Sequence, residues 1–407
     1  MRIHLALLTV LGCSSAPRHE SPDAPPAPDA PADASPGAPL PALPLQASSR
    51  WILDANGKRL KLVAVSWYGT DSPDYVVAGL DHVRLDDLAA EIRALGFDAV
   101  RLPWSNEMFE SDPPVAAARL AANPALQGKR ALDVLDAVIA ALAHQGLVVI
   151  LDNHVSTADW CCSDSDGQGL WYTPAYPESS WIADWQGMAA RYATQPAVIG
   201  ADLRNEPRPA NGVTPTWGGT DPTTDWRGAA QRAGNAVLGV APSWLIFVEG
   251  LNYSADFTGA YTNPIALALP GRLVYTPHDY ASYHPGLTSY ADLKTALGDA
   301  WGFLLVQGQP YTAPVWLGEF GTCHTSASCV DDTAGQGLWF AGIRMYLTEA
   351  DIDWSYWPLN GTEATGTSRT LGAEDSYGVL DPAWTQPALP ALTSALQAIE
   401  PVTQMPD

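Results

Sequence analysis

Eight short apolar runs, which alternate with longer amphipathic stretches, constrain the fold of this chain more than any other feature. The runs are rich in β-branched and aromatic residues. Near-continuous apolar runs of this kind are typical of strands buried on both faces, as in a parallel sheet. In chain order they are LVAVSWYG (62–69), DAVRLPWS (98–105), LVVILDNHVS (147–156), VIGADLRNEP (198–207), LIFVEGLNYS (245–254), LVYTPHDYA (273–281), VWLGEFGT (315–322) and DWSYWPLNG (353–361).

The stretches between these runs have the apolar period of helices. Residues 85–96 and 131–146 are two examples, and in the second one face carries Leu132, Leu135, Ile139 and Leu142. Eight strands alternating with helices predict an α/β fold with a single domain, the closed (β/α)₈ or TIM barrel. An open doubly wound sheet is the alternative. It would be expected to carry a glycine-rich phosphate loop after its first strand, where this chain has WYGT (67–70).

Polar and aromatic residues stand at the carboxyl ends of most of these runs. In a barrel those ends meet at one rim, where active sites are built. Two of the residues are carboxylates, Glu206 and Glu319, and a carboxylate pair suits glycosidic cleavage, which needs a proton donor and an anion. Each residue alone also has a structural explanation, and we interpret Glu107 and Glu249 as acids that either stabilise the fold or support the catalytic residues from behind. The converging set is Arg101, Trp104, Asn153, His154, Asn205, Glu206, His278, Tyr280, Glu319, Trp357 and Asn360.

The charge balance limits the partners of this chain. Its formal net charge is −23, so the phosphates of nucleic acids and of anionic membranes would be repelled. An uncharged polymer is compatible with such a surface. We expect no cofactor and no metal, because the DSDG stretch (164–167) lacks the first and last acidic ligands of a calcium loop.

Several motifs resemble those of glycoside hydrolase family 5, from about Trp51 to Trp384, and WCCSDSDGQG (160–169) is similar to its cellulase-like branches. All eight hallmark residues of the family have a counterpart. The resemblance implies a retaining hydrolase of a β-glycan polysaccharide, with an endo-β-1,4-glucanase as the main expectation. Mannan, xyloglucan or a glycolipid-type glucoside as substrate, or a catalytically silent lectin, are the alternatives. The motifs are LRNEP (203–207), LGEFG (317–321), VRLPW (100–104), DNH (152–154), PHDY (277–280) and WPLNG (357–361).

The resemblance also implies a role for each residue. Glu206 becomes the acid/base and Glu319 the nucleophile of a double displacement, with carboxyl groups about 5–5.5 Å apart. The pKa of Glu319 is then expected to be lowered by its neighbours and the pKa of Glu206 to be raised. The other residues are expected to bind substrate or support the carboxylates: Arg101 and Tyr280 beside Glu319, Asn205 at the sugar 2-hydroxyl, His154 and His278 at other hydroxyls, and Trp357 beneath the reacting sugar.

The chain has 16 tryptophans, many of which stand in the loops after the third and fourth runs. Flat aromatic rings suit the apolar faces of pyranose rings. Trp160, Trp171 and Trp217 stand in Gly- and Ser-rich segments and are candidates for lining a glycan cleft. Trp181 and Trp185 are four residues apart on a predicted helix, and we predict that they belong to the core.

The N-terminal segment predicts export. MRIHLALLTVLGC has a basic start and an apolar stretch too short to span a bilayer. We predict a signal peptide over residues 1–12 and a lipid on Cys13. The protein would then be a cell-surface or outer-membrane lipoprotein, and we expect it to be a monomer. An ordinary signal peptide and a secreted protein are the alternative. Residues 13–48 are predicted to be an anchor and a Pro/Ala-rich linker, unstructured from Ala16 to Ala47, and residues 49–400 the catalytic domain.

Four cysteines remain besides Cys13. Disulfides persist in exported proteins, and four cysteines allow three pairings, among which the sequence does not choose. A zinc site is the rival interpretation, but no CxxC spacing supports it. The four are Cys161, Cys162, Cys323 and Cys329.

Overall fold

The computed structural model describes residues 38–331, 333–365 and 368–406 of the chain. A short antiparallel hairpin comes first, formed by β1 (Gln46–Ser48) and β2 (Trp51–Leu53). Each of the eight predicted runs then contributes one strand to a single eight-stranded sheet. These strands are β3 (Val63–Ser66), β4 (Ala99–Ser105), β5 (Val148–Val155), β6 (Val198–Asp202), β7 (Leu245–Glu249), β8 (Leu273–Thr276), β9 (Trp316–Phe320) and β10 (Asp353–Tyr356).

The sheet closes into a barrel. All neighbouring strands pair in parallel, in the order β8-β7-β6-β5-β4-β3-β10-β9. Parallel bridges between Tyr275 and Val315 and between His278 and Glu319 join the two ends of that order. The predicted (β/α)₈ barrel is therefore confirmed, and the open doubly wound sheet is excluded.

Helices pack around the barrel and bury one face against the strands. Both predicted helices are present, as α1 (Leu85–Ala94) and α3 (Ala131–His144), and Trp181 and Trp185 of α4 (Glu178–Tyr192) are buried in the core as predicted. The helices are α1 (Leu85–Ala94), α2 (Asn106–Ser111), α3 (Ala131–His144), α4 (Glu178–Tyr192), α5 (Trp226–Val240), α6 (Leu251–Ser254), α7 (Tyr290–Ala300), α8 (Ser328–Asp331), α9 (Gly335–Ala350) and α10 (Pro390–Gln397). A further hairpin, β11 (Thr362–Thr365) with β12 (Ser368–Glu374), follows β10.

No helix within the described ranges combines the length and apolar character needed to cross a bilayer.

Apolar side chains fill the barrel near the amino ends of its strands. Phe247 and Trp316 meet there edge to face, with ring centroids 5.0 Å apart. Gly200 lies beside them, where an added Cβ would come within 2.6 Å of the Phe247 ring and of a backbone oxygen. Because apolar side chains fill this end of the barrel, the polar side chains lie at the opposite rim, at the carboxyl ends of the strands.

The N-terminal hairpin and the residues before it cover the apolar end of the barrel, at the amino ends of the strands. The linker is therefore shorter than predicted. Leu45 and Ile52 are buried in the same apolar cluster that fills this end of the barrel. The backbone N–H of Ala38 donates to the carbonyl of His144 at 2.9 Å. Residues 38–48 thus belong to the folded domain, because their leucines cover apolar surface that would otherwise face water. The rest of the predicted linker and the signal peptide lie outside the described residues.

Truncating Leu45 tests the place of this segment in the fold. Leu45→Ala should lower the free energy of unfolding by about 2–4 kcal/mol, because it leaves a cavity in a buried cluster. Chemical denaturation would measure the change. Ser48→Ala, at an exposed position of the same hairpin, should stay within about 0.5 kcal/mol of the parent. Equal stabilities for the Leu45 variant and the parent would contradict this packing.

Candidate active site

The eight predicted site residues meet at the carboxyl end of the barrel. Six of them line one cleft of about 350 Å³. Arg101 and His278 are fully buried beside it. The six that line the cleft are His154, Asn205, Glu206, Tyr280, Glu319 and Trp357.

Arg101 on β4 is the central cation of the site. Its Nη1 donates to Oε1 of Glu319 at 2.5 Å, and its Nε donates to Oδ2 of Asp202 at 2.9 Å. A buried guanidinium of fixed charge and planar geometry can hold several carboxylates in place at once. Its Nη2 has three further oxygen partners within 3.2 Å, which are Asn205, Glu249 and Asp152.

Glu319 on β9 receives two hydrogen bonds. Besides the bond from Arg101, the hydroxyl of Tyr280 donates to its Oε2 at 3.0 Å, and both expected contacts are therefore present. Burial raises the pKa of Glu319, and this outweighs the opposing positive charges of His278 and Arg101. The predicted lowering of this pKa is therefore wrong, because the carboxyl group is taken out of water.

Glu206 follows β6 in a left-handed backbone conformation, with φ of 48°. Such a conformation costs a non-glycine residue about 1–2 kcal/mol. Its Oε1 lies 3.1 Å from Nδ1 of His278 and 3.5 Å from the hydroxyl of Tyr283. Burial raises the pKa of Glu206, but the hydrogen bond and charge of His278 outweigh it, so the net pKa is lowered. The predicted rise is therefore wrong, because His278 favours the ionised form of this carboxyl group.

His278 connects the two carboxyl groups. Its Nδ1 lies 3.1 Å from Glu206 and 3.7 Å from Oε2 of Glu319. Burial opposes its protonation, but nearby Glu249, Glu319 and Glu206 raise its pKa well above the ordinary value. An oxygen of Glu206 and an oxygen of Glu319 lie within 4.8 Å of each other. Carboxyl groups this close titrate as a pair.

His154 and Trp357 form a flat wall of the cleft. Their rings stack with centroids 5.3 Å apart and an interplanar angle of 5°. Nδ1 of His154 lies 2.6 Å from Oδ2 of Asp152, and burial lowers the pKa of His154 to about 4, so the imidazole is neutral near pH 7. Tyr68 stacks on Trp357 with centroids 5.2 Å apart. Such stacked rings offer sugar a rigid aromatic surface.

Of the three tryptophans proposed to line a cleft, Trp160 does so. Trp171 is fully buried and packs against Trp226 with centroids 5.5 Å apart. Trp217 packs against Phe257, and its Nε1 donates to the carbonyl of Asn263. The expectation was therefore wrong for Trp171 and Trp217, because a Gly- and Ser-rich neighbourhood does not reveal which side of a loop faces the barrel.

Several cleft residues were missed at the sequence level. Tyr253, Tyr283 and residues 375–377 all line the cleft. Tyr253 belongs to three consecutive left-handed residues, Asn252 to Ser254, which turn the chain sharply after β7. Tyr283 stands three residues after Tyr280, in the short segment that follows the sixth run, and its hydroxyl lies 3.5 Å from Glu206. Residues 375–377 follow the second hairpin, which the eight-run pattern does not contain.

Each of the four cysteines pairs with the cysteine nearest to it along the chain. Cys161 bonds to Cys162, and Cys323 bonds to Cys329. The first disulfide lines the cleft, and Nδ2 of Asn205 lies 3.3 Å from the sulfur of Cys162. This contact holds the Asn205 amide from the side opposite Arg101.

Three groups of donor atoms in the described part of the chain have the spacing of metal ligands. All three belong to this site. Disulfide sulfurs are not thiolates, Arg101 contacts Glu319, Asp152, Asp202 and Glu249, and Glu206 lies beside His278. The groups are His154 with Cys161 and Cys162, Glu206 with His278 and Glu319, and Asp152 with Asp202 and Glu249.

Comparison with known proteins agrees with this geometry. The family model described as Cellulase (glycosyl hydrolase family 5) matches residues 53–363. An endoglucanase of Paenibacillus polymyxa is 36% identical over 330 residues, which are 76% of this chain and 78% of the relative. The major extracellular endoglucanase of Xanthomonas campestris pv. campestris is 34% identical over 355 residues, 83% of this chain and 67% of the relative.

Solved structures extend the similarity to the fold. The catalytic domain of the major endoglucanase from Xanthomonas campestris pv. campestris matches with a TM-score of 0.74 at 30% identity, over 88% of this chain and 99% of that one. A hyperthermophilic endocellulase from Pyrococcus horikoshii matches with a TM-score of 0.73 at 26% identity, over 89% of this chain and 100% of that one.

Proposed function

The chain belongs to glycosyl hydrolase family 5, and we propose that it is a retaining endo-β-1,4-glucanase with Glu319 as nucleophile and Glu206 as acid/base. One observation carries the mechanism: an oxygen of each carboxyl group lies within 4.8 Å of the other. Retaining glycosidases separate these groups by about 5–5.5 Å, whereas inverting enzymes leave about 6.5–9.5 Å for a water molecule. The close approach supports direct attack by a carboxylate.

In the first step Glu319 attacks the anomeric carbon and forms a covalent ester. The glycosidic bond breaks, and Glu206 gives its proton to the departing oxygen. In the second step Glu206 takes a proton from water, the water oxygen bonds to the anomeric carbon, and Glu319 leaves as a carboxylate. Both carboxyl groups thus return to their starting protonation.

The first step requires the proton on Glu206 and the charge on Glu319. The two groups titrate as a pair, because two negative charges this close repel each other. Bound substrate places a glycosidic oxygen beside Glu206 and the electron-poor anomeric carbon beside Glu319. This arrangement favours the proton on Glu206, against the direction in which burial and His278 shift the two pKa values. Arg101 and Tyr280 then stabilise the Glu319 carboxylate as it forms and leaves.

The remaining cleft residues fit the binding of an uncharged sugar chain. Asn205, held between Arg101 and the sulfur of Cys162, faces the cleft beside Glu206, and we assign its amide to the sugar 2-hydroxyl. The stacked rings of His154 and Trp357 form an apolar wall. Trp160 extends this aromatic surface along the cleft.

A panel of glycans tests the substrate. We expect reducing ends to be released within carboxymethyl cellulose and barley β-glucan, with a rapid fall in viscosity that marks internal cleavage. Faster release from mannan or xyloglucan would reassign the substrate within the same fold and mechanism. Binding to a glycan without any release would support the lectin alternative instead. Glu319→Gln serves as the inactive control for every glycan.

We further propose that the protein is exported and anchored through a lipid on Cys13. The Xanthomonas relative is described as extracellular, and this chain starts with the pattern of a lipoprotein signal. Cys13→Ser should move the protein from the membrane fraction to the soluble fraction, with unchanged specific activity, because the position precedes the folded domain. Fractionation followed by an activity assay measures both. A Cys13→Ser variant that stays with the membranes would exclude the anchor.

A further inference from the structure

Glu249 is a buried acid at the end of β7 that the mechanism above does not use. Its side chain is fully buried, and both of its oxygens have partners. Oε2 accepts the backbone N–H of Glu206 at 2.6 Å. Oε1 lies 3.1 Å from Nη2 of Arg101 and 3.3 Å from Nε2 of His278.

The contact with the backbone of Glu206 bears on its unusual conformation. Glu206 has φ of 48°, in the left-handed region that non-glycine residues rarely adopt. Strained conformations of this kind persist only where the surroundings hold them. The N–H of Glu206 is bound by Glu249, and its carbonyl accepts from Nη1 of Arg208 at 2.9 Å. A hydrogen bond to a charged carboxylate is the stronger kind, so Glu249 provides the main anchor on the N–H side.

Glu249 also reaches the side chain of Glu206 through His278. The two ring nitrogens of His278 face different carboxylates, with Nε2 beside Glu249 and Nδ1 beside Oε1 of Glu206. The 3.3 Å contact between Nε2 and Glu249 is an ion-pair contact and not a hydrogen bond, so Glu249 acts on the Glu206 carboxyl group through the charge of the imidazole. One acid thus binds the backbone of Glu206 directly and influences its side chain through His278.

We propose that Glu249 is a positioning residue for the acid/base, which aims the Glu206 carboxyl group at the glycosidic oxygen. This inference rests on the proposed function. Asp202 provides the matched comparison, because it is equally buried and contacts Nε of Arg101 at 2.9 Å. Loss of Asp202 acts on Arg101, which holds the nucleophile, whereas loss of Glu249 acts mainly on the acid/base.

A series of aryl β-cellobiosides separates these two effects. General acid catalysis matters little for an acidic phenol and much for a poor leaving group. The parameter kcat/KM reports only the steps up to the first bond cleavage, so slow hydrolysis of the covalent intermediate does not obscure it. It would be measured for wild type, Glu206→Gln, Glu249→Ala, Glu249→Gln and Asp202→Asn.

In Glu249→Ala we expect kcat/KM to fall by about 10²-fold or more for the poorest leaving groups and by less than about 10-fold for 2,4-dinitrophenol. Glu206→Gln should show the same pattern. Glu249→Gln keeps an oxygen that can accept the Glu206 N–H, so it should recover part of the loss. Asp202→Asn should lower kcat/KM by a similar factor across the series. Circular dichroism and thermal midpoints identify any variant that is not folded, and Glu249→Gln keeps the shape of the site if the alanine variant fails.

The outcomes separate this inference from the proposed function. If Glu206→Gln depends on the leaving group but the Glu249 variants lose activity uniformly, as Asp202→Asn does, the positioning role is overturned and the proposed function stands. If Glu206→Gln itself shows no dependence on the leaving group, the acid/base assignment fails as well. Wild-type kinetics in both Glu249 variants would also overturn the positioning role.

Discussion

The substitution Glu319→Gln should abolish hydrolysis of every glycan and aryl glycoside that the enzyme accepts. The carboxylate of Glu319 forms the covalent bond to the anomeric carbon, and a neutral amide is too weak a nucleophile to replace it. We expect kcat to fall by on the order of 10⁴- to 10⁶-fold, the range seen when the nucleophile of a covalent mechanism is removed. Release of aryl alcohol and of reducing ends would be measured with the same enzyme preparation.

The smaller Glu319→Ala variant provides a positive test of the same assignment. It leaves space beside the anomeric carbon, where added azide can attack directly. The product should then be the α-glycosyl azide, because a single displacement inverts the β-configuration. Formation of the β-azide in this variant would show that another residue is the nucleophile.

Glu206→Gln should discriminate between substrates, with the largest losses for natural glycans. A general acid contributes about 10²- to 10⁴-fold, and that loss should appear where the leaving group needs a proton. An activated aryl cellobioside should still undergo the first step. Its covalent intermediate should then accumulate, because no base activates water, and a burst of aryl alcohol followed by slow turnover would reveal it.

Azide again reports the stereochemistry in Glu206→Gln. It needs no base and attacks the covalent intermediate, so turnover should recover and yield the β-glycosyl azide. Opposite anomers from the Glu206 and Glu319 variants would tie each step to its residue. The same anomer from both variants would contradict the assignment. Because the identity of a product is measured, partial unfolding of a variant cannot imitate the expected result.

The pattern of the chain by itself predicted the barrel and its rim. All eight apolar runs became barrel strands, because a strand buried on both faces must be apolar along its length. Residues that follow such strands at their carboxyl ends must meet, however far apart they are in the chain. This topological constraint brought together Arg101, His154, Glu206, His278 and Glu319.

Other features depended on contacts that no local pattern encodes. Trp160 and Trp171 stand in one Gly- and Ser-rich loop, yet the first lines the cleft and the second is buried in the core. The structure was also needed to identify the cysteine pairing and the packing of the N-terminal segment against the barrel. The same holds for the sharp turn that carries Tyr253. For the two tryptophans the outcome follows from which surface of the loop meets the barrel.

The protonation of the site also depends partly on the sequence and partly on the tertiary structure. The residue types of Glu206 and Glu319 indicate their chemistry, but the pKa of each depends on burial and on the charges around it. Glu249 approaches Glu206 because β7 lies beside β6 in the sheet, and His278 comes near both acids because β8 lies on the other side of β7. The sequence determined which groups reach the rim, whereas the distances of 2.5 to 3.7 Å among them, and hence the direction of each pKa shift, arose only when the barrel closed. Electrostatic energy in a buried site varies steeply with distance, and local sequence does not encode distance.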